Sequence, residues 1–245
     1  AMNGFPELKA IAMYNNEYLK DLFVKVPGKL ELILSLFEKG KSASFPLNIS
    51  AKMEVETEKE ILPSHNIIGE IKGSDSKLKD EYLVYAAHLD HLGIGRAVNG
   101  DSIYNGAHDN AAGVSILLEI ARAYQALEVK PKRSILFAIV TGEESGLLGS
   151  DYLANNPPIG KEKMVANISM DMPFFFHPVL DIVPYGAIHS SLGMQTKQAA
   201  DILGLGISPD PFPEQVVFIR SDHYSFIKKG IPALFIKSGF KSVAS

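Results

Sequence analysis

Apolar runs that alternate with helically spaced apolar stripes dominate the chain from residue 82 onward. Uninterrupted apolar runs of six or seven residues are typical of strands that are buried on both faces of a sheet. Strands alternating with helices predict an α/β fold, a three-layer αβα sandwich with a mixed, mostly parallel central sheet. Strands are predicted at 66–71, 82–87, 134–140, 164–169, 216–219 and 233–236, and helices at 110–127, 146–154 and 196–203.

The first 62 residues follow a different pattern. Two helical pieces are predicted at 14–24 and 29–39, separated by the turn signal Pro27-Gly28. Residues 47–55 then alternate strictly between apolar and polar side chains, which predicts a half-buried strand. The break at Leu62-Pro63-Ser64 suggests two domains, an N-terminal segment at 1–62 and an α/β domain at 63–245.

Composition and charge exclude several classes of protein. The 245 residues carry a net charge of -4 without a basic block, so we do not expect nucleic acid as a partner. No apolar run approaches the roughly 20 residues that cross a bilayer, so no membrane partner is expected either. The chain has no cysteine, and any metal ion must therefore be held by His, Asp and Glu. The pattern carries no signal for the oligomeric state.

Polar side chains gather where the predicted strands end, the edge at which open α/β sheets bind ligands. Taken singly, each has an ordinary explanation: Asp109 suits a helix cap, and Glu143-Glu144 suits a solvated acidic turn. Together they place two imidazoles and several carboxylates on one rim. The residues are His88 and Asp90 after one strand, Glu143 and Glu144 after the next, Asp171, the pair Asp222-His223, and Asp109 in the loop before a helix.

Two imidazoles and three carboxylates suit two zinc ions that share one bridging carboxylate. Two divalent cations bring a charge of +4, which Asp109, Glu144, Asp171 and a bound hydroxide neutralise. Glu143 is then available as a general base for a bridging water. We expect Asp90 to hydrogen-bond His88 and fix its tautomer, because it follows that residue by two positions.

Five ordered segments resemble the signature segments of the co-catalytic zinc aminopeptidase family, which includes bacterial leucyl-type aminopeptidases, glutamate carboxypeptidase II and the transferrin receptor. They are AHLDH (87–91), NGAHDNAAG (105–113), TGEESGLLGS (141–150), MDM (170–172) and SDHYSF (221–226). The resemblance implies a zinc-exopeptidase fold and removal of N-terminal residues from peptides. It also implies that the protein is exported, to the periplasm or outside the cell.

The resemblance also implies a role for each matched residue. Asp109 would bridge two zinc ions, with a cis peptide after it at Asp109-Asn110. Glu143 would be the general base and Asp90 the residue that orients an imidazole. The remaining ligands would be His88 and Asp171 on one ion, and Glu144 and His223 on the other. His108 is not expected to be a ligand.

Several features leave alternatives open. The family's C-terminal Tyr-His-x-x-x-Asp segment, which helps close the substrate pocket, does not occur in these 245 residues, and this puts activity in doubt. The first 60 residues or so loosely resemble the tail of a protease-associated region. A single-zinc glutaminyl cyclase and a non-catalytic receptor or scaffold domain share the fold. Residues 174–176 (FFF) follow Asp171 and could line a pocket for the first side chain of the substrate, but a core position is favoured. Tyr185, Gly186 and His189 lie where a loop could approach the site.

Overall fold

The computed structural model of the protein describes residues 13–42, 44–50, 52–58, 60–173 and 176–241. The chain divides into two units, Ala1–Leu62 and Pro63–Ser245. The predicted positions Phe174 and Phe175 lie outside the described residues. Within the described ranges, no helix is both long enough and apolar enough to cross a membrane.

Two short helical segments lie within the described part of the N-terminal unit. A 3-10 helix, Asn16–Phe23, begins where the side chain of Asn15 accepts a hydrogen bond from the Glu17 N–H. Helix α1, Lys29–Glu38, follows Gly28, whose positive φ of 76° suits glycine. The strand predicted at 47–55 is wrong for the residues described there, which have no strand partner. Alternation marks residues that suit a sheet, but a strand forms only when a neighbouring strand accepts its backbone hydrogen bonds.

A seven-stranded mixed sheet forms the centre of the second unit. Across the sheet its strands lie in the order β1 (Ile67–Ile71), β5 (Ser134–Val140), β2 (Tyr82–His88), β6 (Met164–Ser169), β9 (Ala233–Ser238), β7 (Asp181–Tyr185) and β8 (Gly206–Ile207). Four neighbouring pairs are parallel, whereas β1 pairs antiparallel with β5 and β7 antiparallel with β9. The predicted mixed, mostly parallel sheet is therefore confirmed. Two further strands, β3 (Gly93–Val98) and β4 (Asp101–Tyr104), form a separate antiparallel hairpin.

Helices cover both faces of this sheet. Alternate residues of β5 enter opposite cores: Leu136 packs in a cluster with Leu153 and Phe226, whereas Phe137 packs in a cluster with Leu117. These partners lie on different helices, which gives the three-layer arrangement its two apolar interfaces. The helices are α2 Ala112–Ala126, α3 Leu148–Asn155, α4 Leu192–Ile202 and α5 His223–Ile227, with 3-10 segments at Lys161–Lys163, Ala187–His189, Pro213–Gln215 and Val217–Ile219.

The prediction of a strand at 216–219 is wrong. Val216 has a φ of 51°, in the left-handed region that extended strands do not use, and Val217–Ile219 forms a 3-10 turn. Helix α2 begins at Ala112, two residues later than predicted, because Asp109 and Asn110 have non-helical backbone angles within the turn Ala107–Ala111. Both local departures lie close in sequence to the candidate site residues.

Candidate metal centre

The expected site residues lie at the carboxyl edge of three neighbouring parallel strands. His88 is the last residue of β2 and pairs with Val140 at the end of β5, so Glu143 and Glu144 follow at the same edge. Strand β6 pairs with the other side of β2 and leads into Asp171. The loop after β4 then brings Asp109 to these strand ends.

The first group of donor atoms consists of His88, Asp109 and Asp171. Nε2 of His88 lies 3.4 Å from Oδ1 of Asp109 and 3.4 Å from Oδ1 of Asp171. The His88 side chain is fully buried, and the Asp171 side chain is 13% exposed. Ser221 donates a hydrogen bond to the other oxygen of Asp171 at 2.9 Å, which leaves Oδ1 directed toward the group.

A second group shares Asp109 with the first and adds His91 and Glu144. Nδ1 of His91 lies 2.6 Å from Oε1 of Glu144 and 3.8 Å from Oδ2 of Asp109. The two oxygens of Asp109 therefore face different groups, Oδ1 toward His88 and Oδ2 toward His91. This is the arrangement expected of a carboxylate that bridges two cations.

The donor atoms fit metal ions. Nε2 of His88 and Oδ1 of Asp171 are buried and make no well-directed hydrogen bond among the described residues, which is costly for polar groups unless another partner satisfies them. Imidazole nitrogen and carboxylate oxygen are ligands that zinc accepts. In each group the candidate ligand atoms lie within 4.8 Å of one another.

The peptide bond Asp109-Asn110 is cis, as expected. Asn110 ties this turn to the end of β6: its amide donates to the Met170 carbonyl at 3.0 Å, and its Oδ1 accepts from the N–H groups of Gly113 and Met172. A Cβ at Gly113 would lie 2.3 Å from the Asn110 side chain and 2.6 Å from the Met170 carbonyl. Glycine at this position therefore allows the turn to reach β6.

Asp90 contacts His88 in a different way from the one expected. Its backbone carbonyl lies 3.1 Å from Nδ1 of His88, whereas its carboxylate is 3.9 Å away. The carboxylate instead accepts hydrogen bonds from the backbone N–H groups of Glu143 at 3.3 Å and Glu144 at 3.4 Å. Asp90 therefore holds the Glu143-Glu144 turn with its side chain and orients His88 with its main chain.

Burial and crowding of carboxylates shift the protonation of the site. Burial, together with Asp222, Asp171 and Glu144, raises the pKa of Glu143 to about 8. Burial, together with electrostatic repulsion from the carboxylates of Asp171 and Glu144, also raises the pKa of Asp109. Burial opposes charge on His88, yet the nearby carboxylates, chiefly Asp171, raise its pKa to about 10. These shifts indicate an excess of negative charge that favours bound cations.

His223 belongs to neither of the two donor groups found among the described residues, and its role as a ligand stays a prediction. Both of its ring nitrogens are buried without a hydrogen-bond partner among those residues. Its ring is fully buried and packs against the rings of Phe218 and Phe235, at centroid distances of 5.6 and 5.4 Å. Burial lowers its pKa to about 4, so the ring is neutral near pH 7.

Residues 66–243 match the family model described as peptidase family M28. The chain belongs to this family. Over 172 residues it is 30% identical to the mouse aminopeptidase NAALADL1, a match that covers 68% of this chain and 21% of the mouse protein. It is also 31% identical over 150 residues to a probable zinc metalloprotease of Pyrenophora tritici-repentis, covering 61% of this chain and 28% of that protein. The chain thus spans less than a third of these relatives.

Solved structures support the M28 fold. An aminopeptidase from Aneurinibacillus sp. strain AM-1 superimposes with a TM-score of 0.54 at 25% identity, covering 72% of this chain and 39% of that chain. The glutaminyl cyclase of Porphyromonas gingivalis superimposes with a TM-score of 0.53 at 23% identity, covering 73% and 65%. The cyclase likeness concerns the fold alone.

Outside the two donor groups lie four other residues of the M28 domain to which the sequence analysis refers: His108, Phe176, Tyr185 and His189. His108 points away from Asp109, with Nε2 lying 3.1 Å from the Pro173 carbonyl. Phe176 is 71% exposed, so the expectation of a core position is wrong for this residue. The Tyr185 hydroxyl donates to Asp210, and the His189 ring lies 5.0 Å from that of Phe218.

Two residues near the donor groups of the M28 domain, His91 and Asp222, have no role in the sequence prediction. The sequence signal for His91 is its position at the end of the AHLDH segment that also contains His88. Asp222 is fully buried beside the site, and burial raises its pKa to about 6.

Proposed function

We propose that the chain carries the catalytic centre of a zinc-dependent exopeptidase that removes the N-terminal residue of peptides. The observation that supports this most directly is the shared carboxylate: the two oxygens of Asp109 face two separate imidazole-carboxylate groups. Membership of peptidase family M28 and the names of the mouse and Pyrenophora relatives point to the same chemistry. Export from the cell is proposed on the family resemblance.

Two zinc ions per chain suit these donors. His88, Asp109 and Asp171 would hold one ion, and Asp109 with Glu144 would hold the other. When bound, zinc polarises a carbonyl group and lowers the pKa of a coordinated water. The absence of cysteine favours a hydrolytic site with nitrogen and oxygen ligands over a closed structural site of thiolates.

Glu143 is proposed as the general base. It belongs to neither donor group, and the hydrogen bond from its backbone N–H to Asp90 holds its turn beside Glu144. A carboxylate whose surroundings favour the protonated form is suited to accept a proton from the attacking water. The same carboxyl group then delivers that proton to the departing amine.

Hydrolysis of amino-acyl anilides by the zinc-loaded chain tests the proposal. We expect chromophore release that stops when a chelator removes zinc and returns when zinc is restored. A single-zinc glutaminyl cyclase would instead cyclise an N-terminal glutaminyl peptide and leave the anilides intact. A folded chain that binds no zinc and hydrolyses nothing would support the receptor or scaffold alternative and reject the proposal.

A further inference from the structure

A short side-chain hydrogen bond lies within the second donor group, 2.6 Å from Nδ1 of His91 to Oε1 of Glu144. An ionised carboxylate can only accept a hydrogen bond, so Nδ1 is the donor. A nitrogen that carries a proton does not ligate zinc, and His91 is therefore given no place in the coordination shell. We propose that His91 is a positioning residue, which holds the Glu144 carboxylate for the second zinc ion. The inference rests on the proposed two-zinc function.

Two consecutive residues of the loop after β2 hold Glu144. The Asp90 carboxylate accepts hydrogen bonds from the backbone N–H groups of Glu143 at 3.3 Å and Glu144 at 3.4 Å. His91 then contacts the Glu144 side chain, so the main chain and the carboxylate are held by neighbouring residues. A carboxylate that is already oriented loses less conformational freedom when it binds an ion, which favours binding.

His91 is itself held against the turn that carries Asp109. A Cβ at Gly106 would lie 2.8 Å from Cβ of His91 and 3.0 Å from the Asp109 carbonyl, and the backbone there has a φ of 66°. Any side chain at position 106 would therefore push these two residues apart. The ring of Tyr104, at the end of β4, lies 6.4 Å from that of His91. His91 thus links Glu144 to the turn of Asp109, and these are the two carboxylates proposed to hold the second ion.

The charges in the second group explain why Glu144 needs a donor. Nδ1 of His91 lies 3.8 Å from Oδ2 of Asp109, so one N–H faces two carboxylates that repel each other. The side chains of His91 and Glu144 are 21% and 22% exposed, so burial alone does not fix them. Without the imidazole donor, repulsion from Asp109 would favour rotation of the Glu144 carboxylate toward solvent.

The experiment compares His91→Leu with His91→Asn. Asparagine places an amide N–H near the position of Nδ1, whereas leucine has a similar shape and no donor. Competition with a chromophoric chelator measures the affinity for each zinc ion, and circular dichroism checks the fold. We expect the Kd of the second ion to rise about 10 to 100-fold in His91→Leu, with the first ion unaffected. His91→Asn should restore wild-type affinity. His108→Leu is the matched control, because it removes an imidazole outside both donor groups.

The visible absorption of the cobalt-loaded proteins distinguishes positioning from ligation. Since His91 is proposed to lie outside the coordination shell, the spectrum of His91→Leu at saturation should equal that of the wild type. A changed spectrum would show that His91 is a ligand and would overturn the proposal. Wild-type affinity in His91→Leu would also overturn it, and so would a folded His91→Asn that binds the second ion as weakly as His91→Leu.

Anilide hydrolysis by the zinc-loaded wild type is measured separately. If the wild type binds two zinc ions and leaves the anilides intact, the peptidase function is rejected, while the zinc titrations still decide the role of His91. If the wild type hydrolyses anilides but binds one ion at saturation, the positioning role is overturned and the peptidase activity stands.

Discussion

The two donor groups share Asp109 but are built differently. The first is formed at strand ends, with His88 fully buried and the Asp171 side chain 13% exposed. The second is formed by loop residues, His91 and Glu144, each about a fifth exposed. In the first, Nε2 of His88 and Oδ1 of Asp171 make no hydrogen bond to any residue that the structure describes, whereas in the second the His91 and Glu144 side chains already contact each other at 2.6 Å.

This difference indicates how the two sites should behave. Ligands on strands are held by the backbone ladder and the core, so the first site is preorganised. The second site depends on the His91–Glu144 contact for its order, and solvent and chelators reach it more easily. We therefore expect the first site to bind zinc more tightly, and the second to exchange its ion and admit substrate.

The largest expected effect is that of Asp109→Asn, which alters the residue common to both groups. In the proposed two-zinc centre each ion would contribute several kcal/mol to transition-state stabilisation, so loss of both should reduce kcat/KM by about 10⁴-fold or more. The measurement is zinc per chain together with anilide hydrolysis. A variant that kept two ions and wild-type turnover would show that the groups are independent of the shared carboxylate.

Next in size is Glu143→Gln, which changes the proposed base and no donor atom of either group. The expected loss is about 10² to 10⁴-fold in kcat, because proton transfer is removed, with both zinc ions retained. Exposed Glu119, which pairs with Arg122 on α2, provides the matched control Glu119→Gln. Normal turnover in Glu143→Gln, or loss of zinc from it, would contradict the assignment of the base.

A smaller loss of activity is expected for Asp90→Ala, a substitution that should affect the second donor group more than the first. The Asp90 carboxylate holds the turn of Glu143 and Glu144, while its main-chain carbonyl still reaches His88 after the substitution. Activity should fall by about 10 to 100-fold, and the weaker zinc affinity should be confined to the second site. Zinc titration resolves the two affinities, with Asp75→Ala as control; equal weakening of both sites would contradict this division.

The smallest expected effect is the stepwise release of zinc by a chelator. The ion of the second site should leave first, with little change in thermal stability. Removal of the first ion should then lower Tm by roughly 5–10 °C, since a ligand at 100 times its Kd stabilises a fold by about 2.7 kcal/mol. Scanning calorimetry across a chelator series measures both steps. Simultaneous release of both ions would indicate that the groups do not differ in affinity.

The sequence predicted β2, β5, β6 and β9 because these strands are largely buried, so their residues are predominantly apolar. It missed the hairpin of β3 and β4, in which every residue is exposed or half-buried, so that no buried apolar run marks either strand. It also missed β7, which contains Pro184 and is paired with β8 and β9, both distant in the sequence. In the N-terminal unit, alternation alone predicted a strand for which the described residues offer no neighbour.

The candidate site shows the same limit at the level of single side chains. The first group was predictable, because His88 and Asp171 directly follow buried parallel strands and their positions are determined by the sheet. The position of His91 beside Glu144 was not predictable, because it depends on the path of the loop that follows β2. Sequence spacing carries no information on that path.

The most direct test is a crystal structure of the zinc-loaded protein with anomalous diffraction at the zinc edge. The proposed function predicts two anomalous peaks on either side of Asp109, one contacting His88 and Asp171 and the other contacting Glu144. A single peak, or two peaks that do not both contact Asp109, would contradict the claim that this carboxylate joins two zinc ions in one hydrolytic centre.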